Sequence, residues 1–187
     1  MKTLIALLVV LIASATIVNA QTTTGFVEGQ FQMSKDATVA KTLDVALTHP
    51  IKPGWAIEGW ALKTDGWGEA YVGVSKLLTS WASLTAQVGV EEADRPWRVA
   101  GTLWMGNAKF SALVILEEGG SGWWHKVVVT GPAIKHAHGG NVKAGILSQR
   151  FVGTGPYMEL SFGKASFWVT IPVVNGNGAL AGIRMGF

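Results

Sequence analysis

Ala179-Leu180-Ala181-Gly182-Ile183-Arg184-Met185-Gly186-Phe187 closes the chain, and every second position of it is apolar: Ala179, Ala181, Ile183, Met185 and Phe187. Successive side chains of a strand point to opposite faces, so this spacing gives one wholly apolar face and one that carries Arg184. Just upstream, the uncharged stretch from Ala165 to Ile183 is broken by Pro172 and by Asn175-Gly176-Asn177-Gly178. It reads as two strands around a turn and cannot be one helix.

The same period of two runs back through the chain. Met158, Leu160 and Phe162 alternate with Tyr157, Glu159 and Ser161, and Trp123, His125, Val127 and Val129 with Trp124, Lys126, Val128 and Thr130. Phe110, Ala112, Val114 and Leu116 stand against Lys109, Ser111, Leu113, Ile115 and Glu117, and Trp97, Val99, Gly101 and Leu103 against Arg98, Ala100 and Thr102. Nearer the N-terminus the polar parity carries Glu28 and Gln30, then Asp44, then Glu58 and Trp60, then Glu69 and Tyr71, then Gln87 and Glu91. Turn chemistry punctuates these runs at Ser34-Lys35-Asp36, Thr64-Asp65-Gly66, Asp94-Arg95-Pro96, Gly106-Asn107 and Gly153-Thr154-Gly155-Pro156. The pattern predicts about twelve strands of roughly nine to eleven residues, with ten or eight as alternatives.

Composition narrows the class. Of 187 residues, 49% are hydrophobic and 14% charged, which excludes a disordered chain, and the absence of cysteine excludes a disulfide scaffold or a thiolate site. The formal charge is +3 and no two basic residues are adjacent, so nothing marks a nucleic-acid surface. Met1-Lys2, the apolar run Leu4 to Ile12 and the small residues at Val18-Asn19-Ala20 read as an export signal cleaved after Ala20. The expected organisation is therefore a signal peptide over 1–20 and one β-domain over 21–187.

Two architectures produce such alternation. A soluble β-sandwich or small barrel turns its apolar parity to a core; an outer-membrane barrel turns it to lipid and keeps the polar parity inside. The expected strand length favours the second, since about nine to eleven tilted residues cross a bilayer. The closing strand, with Phe187 last and Met185 and Ile183 before it at alternate positions, resembles that of Gram-negative outer-membrane β-barrel proteins. The resemblance implies a closed antiparallel up-and-down transmembrane barrel in the outer membrane, porin-like. It also implies contact with outer-membrane lipid, and recognition of Phe187, Met185 and Ile183 by the barrel-assembly machinery after escort by periplasmic chaperones. Trp55, Trp97, Trp123, Phe167 and Phe187 fall at strand ends on the apolar parity, where interfacial girdles are built. Every expected turn is short, which argues against a surface receptor or adhesin.

In such a barrel the other parity lines the lumen. The first five strands then contribute Glu28, Asp44, Glu58, Glu69 and Glu91; the next four contribute Arg98, Lys109, Lys126 and Lys143, interrupted by Glu117, and Glu159 and Arg184 complete the circuit. An acidic wall faces a basic wall, either as a transverse field in a narrow pore or as a plug of cross-lumen ion pairs. A lysine or arginine on the lipid face near the midplane costs about 2–4 kcal/mol, so these charges belong inside or at strand ends. Arg150 breaks the simple register: it falls on the lipid parity unless a bulge near Ile146-Leu147 switches the strand or it sits at the headgroup level.

No nucleophile elbow, zinc-binding His-Glu helix, phosphate loop or dinucleotide fingerprint is present. His136 and His138 could share a strand face, but no third ligand is supplied nearby. The stretch around His136 is faintly similar to a histidine segment of outer-membrane deacylases, yet His138 stands where serine would be needed. The expectation is a small channel without cofactor or metal and without enzymatic chemistry, passing small polar solutes; a non-conducting structural barrel and a soluble binding protein remain the alternatives.

Overall fold

A computed structural model describes residues 22–136 and 139–187. The export segment expected over 1–20 and the second histidine, His138, lie outside the described residues.

The strands are β1 (Thr24–Met33), β2 (Val39–Lys52), β3 (Trp55–Thr64), β4 (Trp67–Thr79), β5 (Ala82–Glu91), β6 (Trp97–Gly106), β7 (Ser111–Gly119), β8 (Trp124–Thr130), β9 (Ile134–Lys135), β10 (Asn141–Gln149), β11 (Gly153–Phe162), β12 (Ala165–Thr170) and β13 (Ala179–Gly186). Each long strand pairs antiparallel with its neighbours, and β13 pairs with β1 from Phe26↔Gly186 to Met33↔Ala179, which closes the sheet. Twelve strands form the barrel wall; β9 is a two-residue addition to the start of β10. Closure leaves no edge and satisfies the backbone between strands, the condition for a sheet to span lipid. The expected transmembrane up-and-down barrel of twelve strands is the observed fold.

Parity decides which way each side chain points. Val27, Phe31, Leu43, Val72, Val88, Leu116, Met158 and Ile183 face outward and are exposed, while Glu28, Asp44, Glu69, Glu91, Arg98 and Glu117 face inward and are buried. The outward charges Lys41, Lys63, Lys76 and Glu118 sit near strand ends, where the lipid penalty is small. Lys63 pairs there with Glu92 at 2.5 Å, which holds the Glu92 carboxyl below its usual range. The aromatic residues expected at the rims lie at or near strand ends, with Trp97, Trp123, Phe167 and Phe187 exposed on the outer face.

Both ends of the described barrel, Gly25 near its start and Phe187, meet at one rim, where they exchange backbone hydrogen bonds. That terminal rim also carries the turns at 53–54, 80–81, 107–110 and 163–164 and the described residues 131–136 and 139–140. The opposite rim carries the turns at 34–38, 65–66, 92–96, 120–123, 150–152 and 171–178. Asp65-Gly66 makes a two-residue hairpin there, and Gly66 adopts a φ of 84° that a β-carbon would disfavour.

The ladder or the alternation is interrupted locally at four places. β2 runs on to Lys52, through a register shift between Pro50 and Lys52 where proline has no N–H to donate. β12 stops at Thr170 because Pro172 ends the ladder, and 171–178 folds back with Val174 bridged to Thr154. Lys109 lies in an exposed turn and not on the inner wall: Asn107 Oδ1 accepts hydrogen bonds from the Lys109 and Phe110 backbone N–H groups at 2.8 and 3.2 Å, which folds 107–110 before β7 begins. No bulge forms near Ile146-Leu147, since β10 and β11 keep unbroken register from Asn141↔Ser161 to Gln149↔Gly153. Arg150 instead sits in the turn after β10, its guanidinium over the rings of Trp123 (5.3 Å) and Phe151 (4.5 Å).

Candidate functional site

The lumen gathers the inward parity of all twelve strands, and its titratable groups form two clusters. The first surrounds Arg98 on β6. Its guanidinium reaches Glu69 at 2.9 Å, Glu91 at 2.9 Å and Glu117 at 2.8 Å, so strands β4, β5, β6 and β7 meet on one cation. Arg98 Nε also donates to the Tyr71 hydroxyl at 2.6 Å, and that hydroxyl lies 3.0 Å from both Glu69 and Glu117, its single hydrogen serving one of them. Arg98 Nη1 donates to Ser121 Oγ at 2.6 Å while Glu91 Oε1 accepts the Ser121 N–H at 2.8 Å. The cluster thereby ties the 120–123 turn to the wall near the rim opposite the chain ends.

Two glycines make room for it. A β-carbon at Gly89 would lie 2.6 Å from the Tyr71 ring, and one at Gly119 would lie 2.4 Å from Arg98 Cγ. Absent side chains on β5 and β7 thus form the shelves on which Tyr71 and Arg98 rest.

The second cluster lies on the other side of the lumen. Glu28 on β1 accepts from Arg184 Nε at 2.6 Å, from Trp168 Nε1 at 2.9 Å and from Gln30 Nε2 at 2.9 Å. Gln30 also donates to Asp44 Oδ2. The Trp168 indole fits into β13 because Gly182 has no β-carbon there; one would lie 2.4 Å from the ring. Beside it Leu147, Val152, Tyr157, Trp168 and Leu180 pack as an inward apolar cluster with Val128. Lys126 on β8 feels the charges of Glu28 and Asp44 from across the lumen, and its ammonium lies 5.3 Å from the centre of the Trp168 ring.

The inward residues expected from the sequence are thus divided between these groups. Glu69, Glu91 and Arg98 come together with Glu117; Glu28, Asp44, Arg184 and Lys126 share the second. Glu58 accepts from Thr48 at 2.8 Å, and Glu159, opposite Lys143 in register, accepts from Tyr157 at 2.6 Å. Lys109 joins neither. Of the proposed acidic and basic walls, Arg98 meets its acids on its own side, whereas Lys126 faces acids on the opposite one. The sequence reading missed the aromatic contribution. Trp60, Tyr71, Trp124, Tyr157 and Trp168 all lie on the polar parity, and that placement was the available signal.

Three cavities follow one another along the axis. The first, about 310 Å³ at the rim opposite the chain ends, is lined by Gln30, Trp60, Leu62, Trp124 and Gln149 among others. All five also line the middle chamber of about 220 Å³, which adds Glu28, Asp44, Glu58, Lys126 and Arg184. Lys126, Arg184 and Leu113 then recur in a third, of about 210 Å³, with Lys143, Glu159 and Trp104. Neighbouring cavities in this series share lining residues.

No family profile matches the chain, and no curated protein matches its sequence. Solved structures do. A KdgM porin superposes with a TM-score of 0.51 at 9% identity, covering 87% of this chain and 96% of its own. A KdgM porin in complex with disordered oligogalacturonate gives 0.50 at 9% identity over the same shares. At that identity the likeness concerns architecture, and the conclusion is that this chain is a closed twelve-stranded transmembrane barrel whose fold is similar to that of the KdgM porin.

Proposed function

We propose that the protein is a passive channel for small polar solutes in the outer membrane of a Gram-negative bacterium. The observation that carries this reading is the series of three cavities with common walls, lined by amides, hydroxyls and charges. An outward face of exposed Val, Leu, Ile, Phe and Met supports residence in lipid. In this reading residues 1–20 direct export, periplasmic chaperones escort the chain, and Phe187, Met185 and Ile183 present the closing strand to the barrel-assembly machinery. Glu28, Asp44, Glu58, Glu69, Glu91, Arg98, Lys126, Lys143, Glu159 and Arg184 then line the route. The solute class follows from these side chains and not from the oligogalacturonate named with the neighbour.

A second reading, a non-conducting structural barrel, has one observation in its favour: the apolar cluster around Leu147, Trp168 and Leu180 fills part of the lumen. Planar-bilayer recording separates the two. Refolded protein with heat-modifiable mobility is expected to insert as discrete conductance steps; folded protein that inserts and stays silent would establish the structural reading instead.

A further inference from the structure

We infer that the middle chamber is a selectivity site for monovalent cations, potassium or a small ammonium ion, centred on Asp44; the inference rests on the channel reading. The inward strand positions carry seven carboxylates, Glu28, Asp44, Glu58, Glu69, Glu91, Glu117 and Glu159, against the four cations Arg98, Lys126, Lys143 and Arg184, and Arg150 adds a fifth cation in the turn beside the first cavity. The excess is not spread evenly. Arg98 is taken up by its three acids, a group that keeps two of the three excess charges, and Arg184 by Glu28 at 2.6 Å, with its guanidinium also 4.7 Å from the Phe26 ring. What remains in the middle chamber is Asp44 and Glu58 facing one ammonium, that of Lys126.

Asp44 shows the second, independent sign of a ligand. The residue is 4% exposed, Gln30 holds its Oδ2, and no donor among the described residues reaches its buried Oδ1. A buried acceptor without a donor is rare in folded proteins, because the group has lost its water without replacement. Its position on the chamber wall makes a passing cation the natural partner. The chemistry also sets the class: among the described residues no three His, Asp or Glu side chains converge as a metal site, so the chamber attracts cations without the ligand set that would trap a divalent one. Low-dielectric walls of one net sign concentrate counter-ions in the space between them.

The test is the reversal potential of the full-length mature protein in a planar bilayer across a KCl gradient at low ionic strength, where screening is weakest. The wild type is expected to favour potassium over chloride by about tenfold. Asp44→Asn is expected to bring that ratio toward unity, and Lys126→Met to raise it, a gain that a packing defect would not produce. Asp36→Asn, in an exposed turn away from the chamber, is expected to leave it unchanged. A conducting wild type that is unselective or prefers chloride overturns the inference and leaves the channel reading standing. Selectivity that survives Asp44→Asn in a heat-modifiable, conducting barrel overturns the assignment to Asp44. A folded, silent wild type overturns the channel reading and the inference with it.

Discussion

Replacing Arg98 by glutamine keeps a polar side chain of similar reach and deletes the one cation shared by Glu69, Glu91 and Glu117. All three carboxylates lie within 2.9 Å of the guanidinium, and the Arg98 side chain is 2% exposed. Removing one partner of a buried ion pair costs about 3–5 kcal/mol, because the remaining charge keeps its desolvation penalty and loses its compensation. Here three acids lose the same partner, and the Tyr71 hydroxyl and Ser121 lose a donor as well. Arg98→Gln is therefore expected to lower stability by about 4 kcal/mol, roughly a thousandfold in the folded-to-unfolded ratio at about 1.4 kcal/mol per tenfold. The assay is a reversible urea titration of the barrel in lipid vesicles, followed by heat-modifiable mobility and tryptophan fluorescence. The triple variant Arg98→Gln, Glu69→Gln, Glu117→Gln is expected to recover much of the loss, since two of the stranded charges are gone and the coupling within one network is large. A single variant within about 1 kcal/mol of wild type, or a triple variant no more stable than the single, would refute the view that Arg98 compensates buried charge.

Further expectations concern parity, packing and one turn. Val88→Arg places a charge on the outward face of β5, where Val88 is 62% exposed, and is expected to cost about 2–4 kcal/mol in vesicles, while Gln87→Arg on the inward face costs far less; equal effects would contradict the assigned parity. Gly182→Val pushes into the Trp168 indole and is expected to destabilise by about 1–3 kcal/mol with a shift in tryptophan emission; an unshifted spectrum would count against the Trp168 seat. The Ser34 and Thr38 hydroxyls and the Thr38 N–H donate to Asp36 and hold its carboxyl below the usual carboxylate range. A depressed folded-state value means that the turn gains from Asp36 at neutral pH and loses that gain as pH falls through the lowered value. The Thr38 amide resonance in micelles should accordingly titrate below the ordinary aspartate range and stop titrating in Asp36→Asn.

Much of the architecture was legible because a barrel wall is read by period alone. Alternate apolar residues from Val27 to Phe187 assign each side chain to lipid or lumen without knowledge of any long-range contact, and antiparallel hairpins between short turns leave little topological choice. Where the reading slipped, a local device intervened. Asn107 caps a turn and carries Lys109 out of the strand; a ring pair, Trp123 and Phe151, takes up Arg150 without any bulge. None of these depends on periodicity, which is why periodicity did not report them.

The sequence by itself determined which residues within a strand face inward, because pleat geometry ties facing direction to position along the strand; it did not determine where a strand begins, which is how Lys109 came to be assigned to the wall. Only the tertiary structure decided which of them meet. Arg98 is separated from Glu69 by 29 positions and two strand boundaries, and Glu28 from Arg184 by almost the whole chain, so their pairing depends on barrel closure and on the space left by Gly89, Gly119 and Gly182. Closure also decided that Lys126 would look across at Asp44 and Glu28, and that Asp44 Oδ1 would be buried without a donor. Those are matters of distance through the lumen, which no spacing along the chain encodes.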